Sequence, residues 1–350
     1  MKKRLLTLGL SVVLASALLT GCGGGNDSSD SGSSDGTTYK VGIIQYVDDA
    51  SLNQIEQNVE EQLDKRGEEL GVTFDYEDYT KNGQADATTL NQITTDLIAN
   101  EVDVIVPIAT PTAQIVQSAT EDTQIPVVFS ACTDPVGAQL VSSMEEPGAN
   151  ITGTSDALNT EAIMNLILAA NPDTDYVGLL YSKSEDSSRQ AIADAKEFLD
   201  EKNIKYIEKT GTNTDEIQSA ADALIAEGVD AVFTPTDNTV MKAELSIFEK
   251  FTEAKIPHYC GADSFALNGA FVGYGVDYAN LGVQTADMVV DVLVNGADPA
   301  KTAVQTFDNG IATINTETCE AIGLDLDTVK KAFESYCTDI VETQTSEEFE

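Results

Sequence analysis

Two similar stretches of sequence place hydroxyl and carboxylate side chains directly after apolar runs that are typical of buried strands. The first is VDVIVPIATPTA (102–113) and the second is VDAVFTPTDNTV (229–240). In the first stretch, Thr110 and Thr112 lie where a helix is predicted to begin, and the free N–H groups of a helix N-terminus suit a carboxylate. In the second, Asp237 supplies a carboxylate that suits an ammonium group. The two turns together could hold a zwitterion such as an amino acid.

Ordinary turn and capping chemistry also explains these residues. Thr is a tolerable cap, Pro suits the first helical turn, and Asp237 could serve only as the cap of the helix that follows it. Ser51 with Gln54 has the spacing of a capping box. Asp134 before Pro135 is a common turn dipeptide. The choice depends on whether the two turns meet in the fold.

Catalytic and cofactor motifs are not apparent in the sequence. His258 is the sole histidine, and no Ser or Cys nucleophile with a third partner is recognisable around it, so we interpret it as a satisfied strand-end residue. The residues after the first strand, YVDDAS, lack the glycines that a dinucleotide pyrophosphate requires. We therefore expect a protein that binds without catalysis and uses no cofactor.

The cysteines give no sign of a metal site. Cys132, Cys260, Cys319 and Cys337 have no CxxC spacing, which makes a zinc site improbable. Cys132 and Cys260 end strand-like runs, where a small buried thiol is the commoner explanation. An exported chain permits disulfides, and the sequence leaves open whether Cys319 pairs with Cys337.

Short β-rich runs alternate with amphipathic segments from Tyr39 onward, which is typical of parallel sheets with helices on both faces. The pattern restarts after PGANITGTSD (147–156). Two such series exceed what one core usually holds, so we expect an α/β fold of two doubly wound lobes. Helices are predicted over residues 87–99, from Pro111, from Thr160, and over 189–199, 217–226 and 240–254.

The repetition of one unit in two lobes suggests where a ligand would bind. In open α/β sheets, ligands bind outside the carboxyl ends of the strands. If both similar stretches end at the same cleft, the residues that meet across it are Ala109, Thr110 and Thr112 on one side and Thr236, Asp237 and Asn238 on the other.

The N-terminus has the layout of an export signal, with three basic residues followed by the apolar run Leu5–Leu19. This run is too short to be trusted as a membrane-spanning helix. The residues LTGC, which end at Cys22, resemble the lipobox of bacterial lipoproteins, whose cysteine is diacylated. We therefore expect a signal peptide over 1–21 and a protein anchored by lipid to the outer face of the cell membrane.

Composition supports the anchor and excludes some partners. Residues 22–38 contain little that could be buried and are predicted to form a flexible tether. The chain has 19 Lys and Arg against 59 Asp and Glu, a formal net charge of −40. Such a surface repels phosphate backbones, so nucleic-acid binding is not expected.

Five segments, in order along the chain, together resemble one family. They are PVVFSACTDPVGAQLV, PGANITGTSD, VDAVFTPTDN, GYGVDYANLG and NGIATINTETCEAIGLDL. The chain from Tyr39 to about Leu326 is similar to the substrate-binding proteins of ABC transporters, including the tryptophan- and tyrosine-binding lipoproteins of Gram-positive bacteria. The resemblance implies a type I periplasmic-binding-protein fold, with two Rossmann-like lobes, three hinge crossings and an interlobe cleft.

The resemblance also implies partners and domain boundaries. The ligand would be an aromatic or other apolar amino acid, delivered by a monomer to a membrane permease that a cytoplasmic ATPase drives. The N-terminal lobe would comprise residues 39–152 and 277–305, and the C-terminal lobe 153–276 and 306–340. An acidic tail would follow over 341–350.

The family's cleft positions, carried over to this sequence, fall in both lobes and at the crossings. They are Gln45, Ala109, Thr110, Ser130, Thr133, Asp134, Ser155, Asp156, Tyr181, Glu185, Ser187, Asp237, Asn238, Asp263 and Asp277. Two departures leave the ligand preference open: Asp186 stands where Asn is usual, and Cys132 replaces an aliphatic residue. Tyr46 and Phe265 are weaker candidates for stacking on the ligand side chain, and Tyr181 could instead be a core residue.

Two other functions remain open at this stage. A ligand-sensing lipoprotein could use the same fold, and the solute could be a branched-chain amino acid, a nucleoside or a sugar.

Overall fold

A computed structural model describes residues 36–346 of the chain. The predicted signal peptide, the lipidation site at Cys22, most of the predicted tether and residues 347–350 lie outside the described residues. No helix within the described part is both long and apolar enough to span a membrane.

The first lobe is built on a seven-stranded sheet in the order β12-β6-β5-β4-β1-β2, with β3 also paired to β1. All of its strand pairs are parallel. Its strands and helices are β1 (Thr38–Gln45), α1 (Ala50–Leu70), β2 (Thr73–Asp75), β3 (Thr80–Asn82), α2 (Ala87–Ala99), β4 (Val104–Ile108), α3 (Thr110–Thr120), β5 (Val127–Phe129), β6 (Ile151–Ser155), α10 (Tyr278–Leu293) and β12 (Gln305–Thr306), with a 3₁₀ turn over Pro299–Lys301.

The second lobe is built on another seven-stranded sheet, in the order β14-β13-β11-β10-β9-β7-β8. Its elements are α4 (Thr160–Ala170), β7 (Tyr176–Tyr181), α5 (Asp186–Lys202), β8 (Lys205–Thr210), α6 (Thr214–Glu227), β9 (Ala231–Thr234), α7 (Asn238–Met241), α8 (Glu244–Glu253), β10 (His258–Cys260), α9 (Asp263–Leu267), β11 (Val272–Gly275), β13 (Ile311–Asn315), α11 (Thr316–Ile322), α12 (Leu326–Phe333) and β14 (Asp339–Thr343).

Helices cover both faces of each sheet, as predicted. In β1, Val41 and Ile43 pack in the same core cluster as Ile55 of α1, whereas Ile44 packs with Leu90 of α2. Successive side chains of a strand point to opposite faces, so these helices lie on opposite sides of the sheet. The two α/β lobes with helices on both faces confirm the predicted fold class.

Three segments connect the two sheets within residues 36–346. They follow β6, β11 and β12. Asn309 Nδ2, in the last of them, donates to the carbonyl oxygen of Ala157 in the first at 2.8 Å. The crossings therefore lie side by side, as a hinge between the lobes requires.

The structure corrects several predicted boundaries. β6 lies wholly in the first sheet, so the predicted division between residues 152 and 153 cuts through a strand. β12, which ends at Thr306, also pairs in the first sheet, one residue past the predicted boundary at 305. The predicted tail beginning at 341 is wrong at its start, because Asp339–Thr343 pairs with β13 as a strand.

Two predicted elements also differ. The helix predicted over 240–254 is two helices, α7 and α8, with a break between Met241 and Glu244. The second sheet is not entirely parallel, since β13 runs antiparallel to β11. The chain leaves this sheet at the carboxyl end of β11 and returns from the first lobe at that same edge, so β13 must run in the opposite direction.

Candidate functional site

A cavity that is partly open to solvent lies between the two lobes at the carboxyl ends of their strands. Strand register explains why distant residues meet there. In the first sheet Gln45 pairs with Ile108, and Ile108 bridges to Ser130, so the loops after β1, β4 and β5 begin side by side. The lining residues are Asp49, Ser51, Leu52, Ala109, Thr110, Ala131, Thr133, Asp156, Ser187, Thr236, Asp237, Asn238, Met241, Ala262, Ser264, Phe265 and Tyr278.

The N-terminus of α3 forms part of the cavity wall and has no side-chain cap. Asp or Asn caps begin most other helices of the described chain, so the free N–H groups here stand out. The Thr110 hydroxyl is buried without a hydrogen-bond partner. An uncapped helix N-terminus with an unpaired hydroxyl can receive an anionic group such as a carboxylate.

Two alanines of the same wall have unusual backbone conformations. Ala109 has φ 77° and Ala131 has φ 54°, both in the region that favours glycine. Such conformations cost on the order of 1–3 kcal/mol each and concentrate at functional sites. Their small side chains keep the wall open beside Thr110.

On the second lobe, Asp237 both lines the cavity and caps α7. Its Oδ1 accepts from Val240 N at 3.0 Å, while its Oδ2 accepts from Ser182 N at 2.7 Å and from the Ser188 hydroxyl at 2.6 Å. Burial and the neighbouring Glu185 raise the pKa of Asp237 well above its usual range. Asp237 is therefore a helix cap, as the alternative interpretation predicted, and it also lines the cavity.

The rest of this wall depends on Glu185 and on a close approach of two loops. Glu185 accepts from Asn238 Nδ2 at 3.0 Å and from Thr239 N at 3.1 Å, and so fixes the start of α7. Thr236 donates to the Gly261 carbonyl oxygen at 3.0 Å. A Cβ on Gly261 would lie 2.6 Å from Thr236 N, so glycine is required there.

Asp156, at the first crossing, is buried at the cavity beside the start of α10. Its Oδ1 accepts from the Thr133 hydroxyl at 2.9 Å, and its Oδ2 accepts from the Tyr278 hydroxyl at 3.4 Å. Burial raises the pKa of Asp156 to about 6, although both hydroxyls favour its charged form. The hinge region therefore contributes a second buried carboxyl to the cavity.

Asp49, which the sequence analysis did not single out, is a third carboxyl at the cavity. Its Oδ1 caps α1 by accepting from Ser51 N at 3.0 Å and Leu52 N at 3.2 Å. Its Oδ2 is buried with no hydrogen-bond partner. Burial, and to a smaller extent the charge of Asp263, raise the pKa of Asp49 to about 6.

The predicted capping box at Ser51 and Gln54 is wrong, because Asp49 is the cap of α1. The Ser51 hydroxyl instead donates to Asp263 Oδ1 at 2.5 Å, and Gln54 Nε2 donates to Asp263 Oδ2 at 3.3 Å. Since α1 belongs to the first lobe and α9 to the second, these bonds join the lobes beside the cavity.

Apolar side chains line the remainder of the cavity. Leu52 comes from the first lobe, Met241 and Phe265 come from the second, and the Tyr278 ring lies at a crossing. Phe265, predicted as a stacking residue, is among the lining residues. Tyr46 is not, although burial and the charges of Glu185 and Asp237 raise its pKa to about 12. The apolar wall suits an uncharged, flat side chain.

Seven of the fifteen predicted site residues line the cavity: Ala109, Thr110, Thr133, Asp156, Ser187, Asp237 and Asn238. Glu185 and Asp263 support its walls through the hydrogen bonds described above. The other six have different structural roles and do not line the cavity.

Three of these six have partners close by in the fold. Gln45 Nε2 donates to Asn53 Oδ1 at 2.6 Å, and the Ser155 hydroxyl accepts from Ala157 N at 3.2 Å. The Ser130 hydroxyl pairs with that of Thr285 at 2.8 Å and ties β5 to α10.

The other three are a turn residue, a helix cap and a buried tyrosine of the second lobe. Asp134 accepts from Gly137 N at 2.8 Å, and the exposed Asp277 accepts from Asn280 N at 2.9 Å as the cap of α10. Tyr181 donates to Glu208 Oε2 at 2.5 Å in a separate surface groove. Its side chain packs with Val177 and Leu179 on one face of β7, away from the cleft.

His258 and the described cysteines are not among the residues that line the cavity, although Cys132 stands between two that are. His258 is buried and its ring nitrogens contact the Thr234 hydroxyl at 2.8 Å and Glu244 Oε1 at 3.1 Å, as expected of a satisfied residue. The sulfur of Cys260 lies within 4.8 Å of a ring nitrogen of His258 and of a carboxylate oxygen of Glu244. In the described residues the cysteines are free thiols, so the disulfide left open between Cys319 and Cys337 is not formed.

Sequence comparison identifies related proteins across nearly the whole chain. Residues 40–334 match the family model described as ABC transporter substrate binding protein. A curated protein called tyrosine-binding protein, from Clostridioides difficile strain R20291, is 30% identical over 328 residues, which cover 92% of this chain and 93% of that protein.

Solved structures give the same result. A Streptococcus pneumoniae ABC domain in complex with L-Trp is 31% identical with a TM-score of 0.79, covering 87% of this chain and all of that one. A ligand-free, open substrate-binding protein with adhesive properties from Clostridium difficile is 28% identical with a TM-score of 0.66, covering 88% of this chain and all of that one.

Proposed function

This chain belongs to the family of ABC transporter substrate-binding proteins, and we propose that it binds an aromatic amino acid in the interlobe cavity. The observation that carries the proposal is the composition of that cavity. It combines an uncapped helix N-terminus, buried carboxyls and an apolar wall that includes Phe265 and Tyr278. An α-amino acid with a flat apolar side chain has a group to match each of these.

The polar end of the ligand would be held by charge complementarity. The ligand carboxylate would accept hydrogen bonds from the N-terminus of α3 and from the Thr110 hydroxyl, which lacks a partner in the protein. The ammonium group would meet buried carboxylates. A buried unpaired polar group costs about 1–3 kcal/mol, so analogues that lack either charged end should bind much more weakly.

The aromatic side chain would occupy the apolar part of the cavity. Leu52 and Met241 come from opposite lobes, so a ring between them would be enclosed only when the lobes close. One relative is called a tyrosine-binding protein and the structure of another contains L-Trp, and both support an aromatic ligand for this chain.

Release and capture would occur by hinge bending. Ser51 donates to Asp263 across the lobes, and Gln114 Nε2 donates to Asp186 Oδ2 at 2.7 Å from α3 to α5. These bonds belong to the closed arrangement, and a ligand that contacts both lobes stabilises that arrangement by its higher affinity for it. The ligand would leave unaltered.

Two titrations test the ligand class. The chain contains no Trp, so light at the red edge of indole absorption excites only added tryptophan, and a change in its emission reports binding. Thermal unfolding against amino acids, nucleosides and sugars then ranks the classes, because a ligand at about 100 times its Kd adds roughly 2.7 kcal/mol. The proposal is lost if every amino acid leaves the melting temperature unchanged while a sugar or nucleoside raises it.

We further propose that the protein is a monomeric lipoprotein on the outer face of the cell membrane, where it delivers its ligand to a permease and ATPase. The lipobox-like LTGC sequence supports this location. Metabolic labelling with palmitate should mark the wild-type protein but not Cys22→Ala. Loss of ligand uptake in cells that lack the gene would test the importer role, and normal uptake would refute it.

A further inference from the structure

Four aspartates surround the cavity, two of them buried and two half-buried, and their hydrogen bonds distinguish them. Asp237 and Asp263 each accept three hydrogen bonds, and both oxygens of each carboxyl have a donor. Asp156 has one hydroxyl donor on each oxygen. These three carboxyls therefore have protein partners on both sides.

Asp49 differs from the other three. Both donors to its carboxyl, Ser51 N and Leu52 N, approach Oδ1, and Oδ2 has none although it is buried. The Ser264 hydroxyl lies close enough to favour the charged form of Asp49, but the hydrogen bond that it donates goes to Met241 Sδ at 3.6 Å and not to Oδ2. A buried carboxylate oxygen without a donor costs more than most unpaired groups, so a functional partner is the natural explanation.

We propose that Asp49 receives the ammonium group of the ligand, and that the first lobe therefore binds both charged ends of the amino acid before the second lobe closes. This inference rests on the proposed function and assigns a role within it that the sequence analysis gave to Asp237. An ammonium group supplies the donors that Oδ2 lacks.

The topology places Asp49 next to the carboxylate site. Asp49 and Thr110 lie in the loops that follow β1 and β4, and these strands are neighbours whose last paired residues are Gln45 and Ile108. Two adjacent loops thus supply a free acceptor and, at the start of α3, free donors. The α-carbon of an amino acid separates its charged groups by a short distance, which suits neighbouring loops of one lobe better than loops of opposite lobes.

The charges around Asp49 favour a cation. Among the side chains lining the cavity, all of which belong to the described residues 36–346, there is no Lys, Arg or His. Asp263 lies near Asp49 and its charge disfavours a second carboxylate, which also explains in part why the pKa of Asp49 is raised to about 6. A ligand cation would relieve this repulsion.

The decisive experiment replaces the ammonium group of the ligand and the carboxylate of the protein in turn. Calorimetry would measure Kd for an aromatic L-amino acid and for its 2-hydroxy acid counterpart, which exchanges NH₃⁺ for OH at similar size. For Asp49→Asn we expect amino-acid affinity to fall about 30-fold or more, because one partner of a buried charge pair is lost. Affinity for the hydroxy acid should change little, so the variant should lose the wild-type preference for the amino acid over the hydroxy acid.

Matched variants separate this role from capping. Asn and Ser cap helices about as well as Asp, so Asp49→Asn and Asp49→Ser should both fold and both lose the preference. Asp86→Asn alters an exposed cap of the same lobe and should leave both affinities unchanged. Asp237→Asn should weaken the binding of both ligands by a similar factor, so the ratio of their Kd values should stay at the wild-type value.

Two results would overturn the inference. One is that both Asp49 variants keep the wild-type preference for the amino acid. The other is that Asp237→Asn alone abolishes it, which would return the role to Asp237. If the wild type binds no aromatic amino acid, the proposed function itself fails, and that is seen before any variant is made.

Discussion

Replacing Asp49 with serine should stabilise the ligand-free protein at alkaline pH, although the same change removes a residue of the binding site. Serine keeps a hydroxyl to cap α1 and removes the buried carboxylate oxygen that has no partner. The pKa of Asp49 is raised from an ordinary 3.8 to about 6 by burial. A raised carboxyl pKa means that the folded state binds more protons than the unfolded state between pH 4 and 6, so stability falls as pH rises through that range.

The magnitude follows from the size of the shift. About 2 pKa units, at 1.36 kcal/mol each, put the penalty near 3 kcal/mol at pH 8, decreasing to about 1 kcal/mol at pH 4.5. The loss of packing and of a charged cap offsets roughly 1 kcal/mol of the stability gained by removing this penalty. Asp49→Ser should therefore be about 2 kcal/mol more stable than the wild type at pH 8, a rise of about 4 °C in Tm, and close to equal at pH 4.5.

Urea and thermal unfolding of the ligand-free protein at both pH values would measure this. Asp86→Ser is the matched control, since Asp86 caps α2 of the same lobe but is exposed, and it should bring no stabilisation at either pH. The reasoning would be refuted if Asp49→Ser were no more stable than the wild type at pH 8, or if it gained equally at pH 8 and pH 4.5.

Three further predictions concern ligand binding. Affinity for the amino acid should fall as pH drops from 8 to 5, because Asp49, whose pKa is raised to about 6, must lose its proton to pair with the ammonium group. Calorimetry in buffers of different ionisation enthalpy should therefore show proton release at pH 6. Ser51→Ala should speed ligand dissociation in stopped flow several-fold, because its bond to Asp263 joins the two lobes beside the cavity. Thr110→Val should lower affinity about tenfold or more while leaving Tm unchanged within about 2 °C, because its hydroxyl has no partner in the protein.

The sequence predicted the turn at Thr110 well because several local signals agree there. A buried strand, a proline suited to the first helical turn and a similar stretch in the second half all indicate a strand-to-helix turn at a sheet edge. The structure adds what no local signal contains: α3 has no side-chain cap, and Ala109 is held at positive φ. Both depend on the neighbouring strand, since Ala109 N donates to the Ser130 carbonyl oxygen at 2.9 Å.

Tyr181 shows how a strand-end residue can be misassigned. Its position at the end of β7 was correct, but its side chain lies on the same face as Val177 and Leu179 and reaches Glu208. The alternation of side chains along a strand could have given this direction. The next residue, Ser182, is the one that contacts the site, through its backbone N–H to Asp237.

Asp49 was missed for a different reason, which applies to many caps beside ligand sites. An aspartate that follows a strand and precedes a helix is fully explained by capping, so its sequence position suggests no further role. Capping, however, uses one carboxylate oxygen, and whether the other is solvated, paired or buried alone depends on the opposite lobe. In Asp277 the cap is exposed, whereas in Asp49 the second lobe, through Asp263 and Ser264, encloses the remaining oxygen. The residue type is the same, and the long-range packing alone turns one of these caps into a candidate for binding a cation.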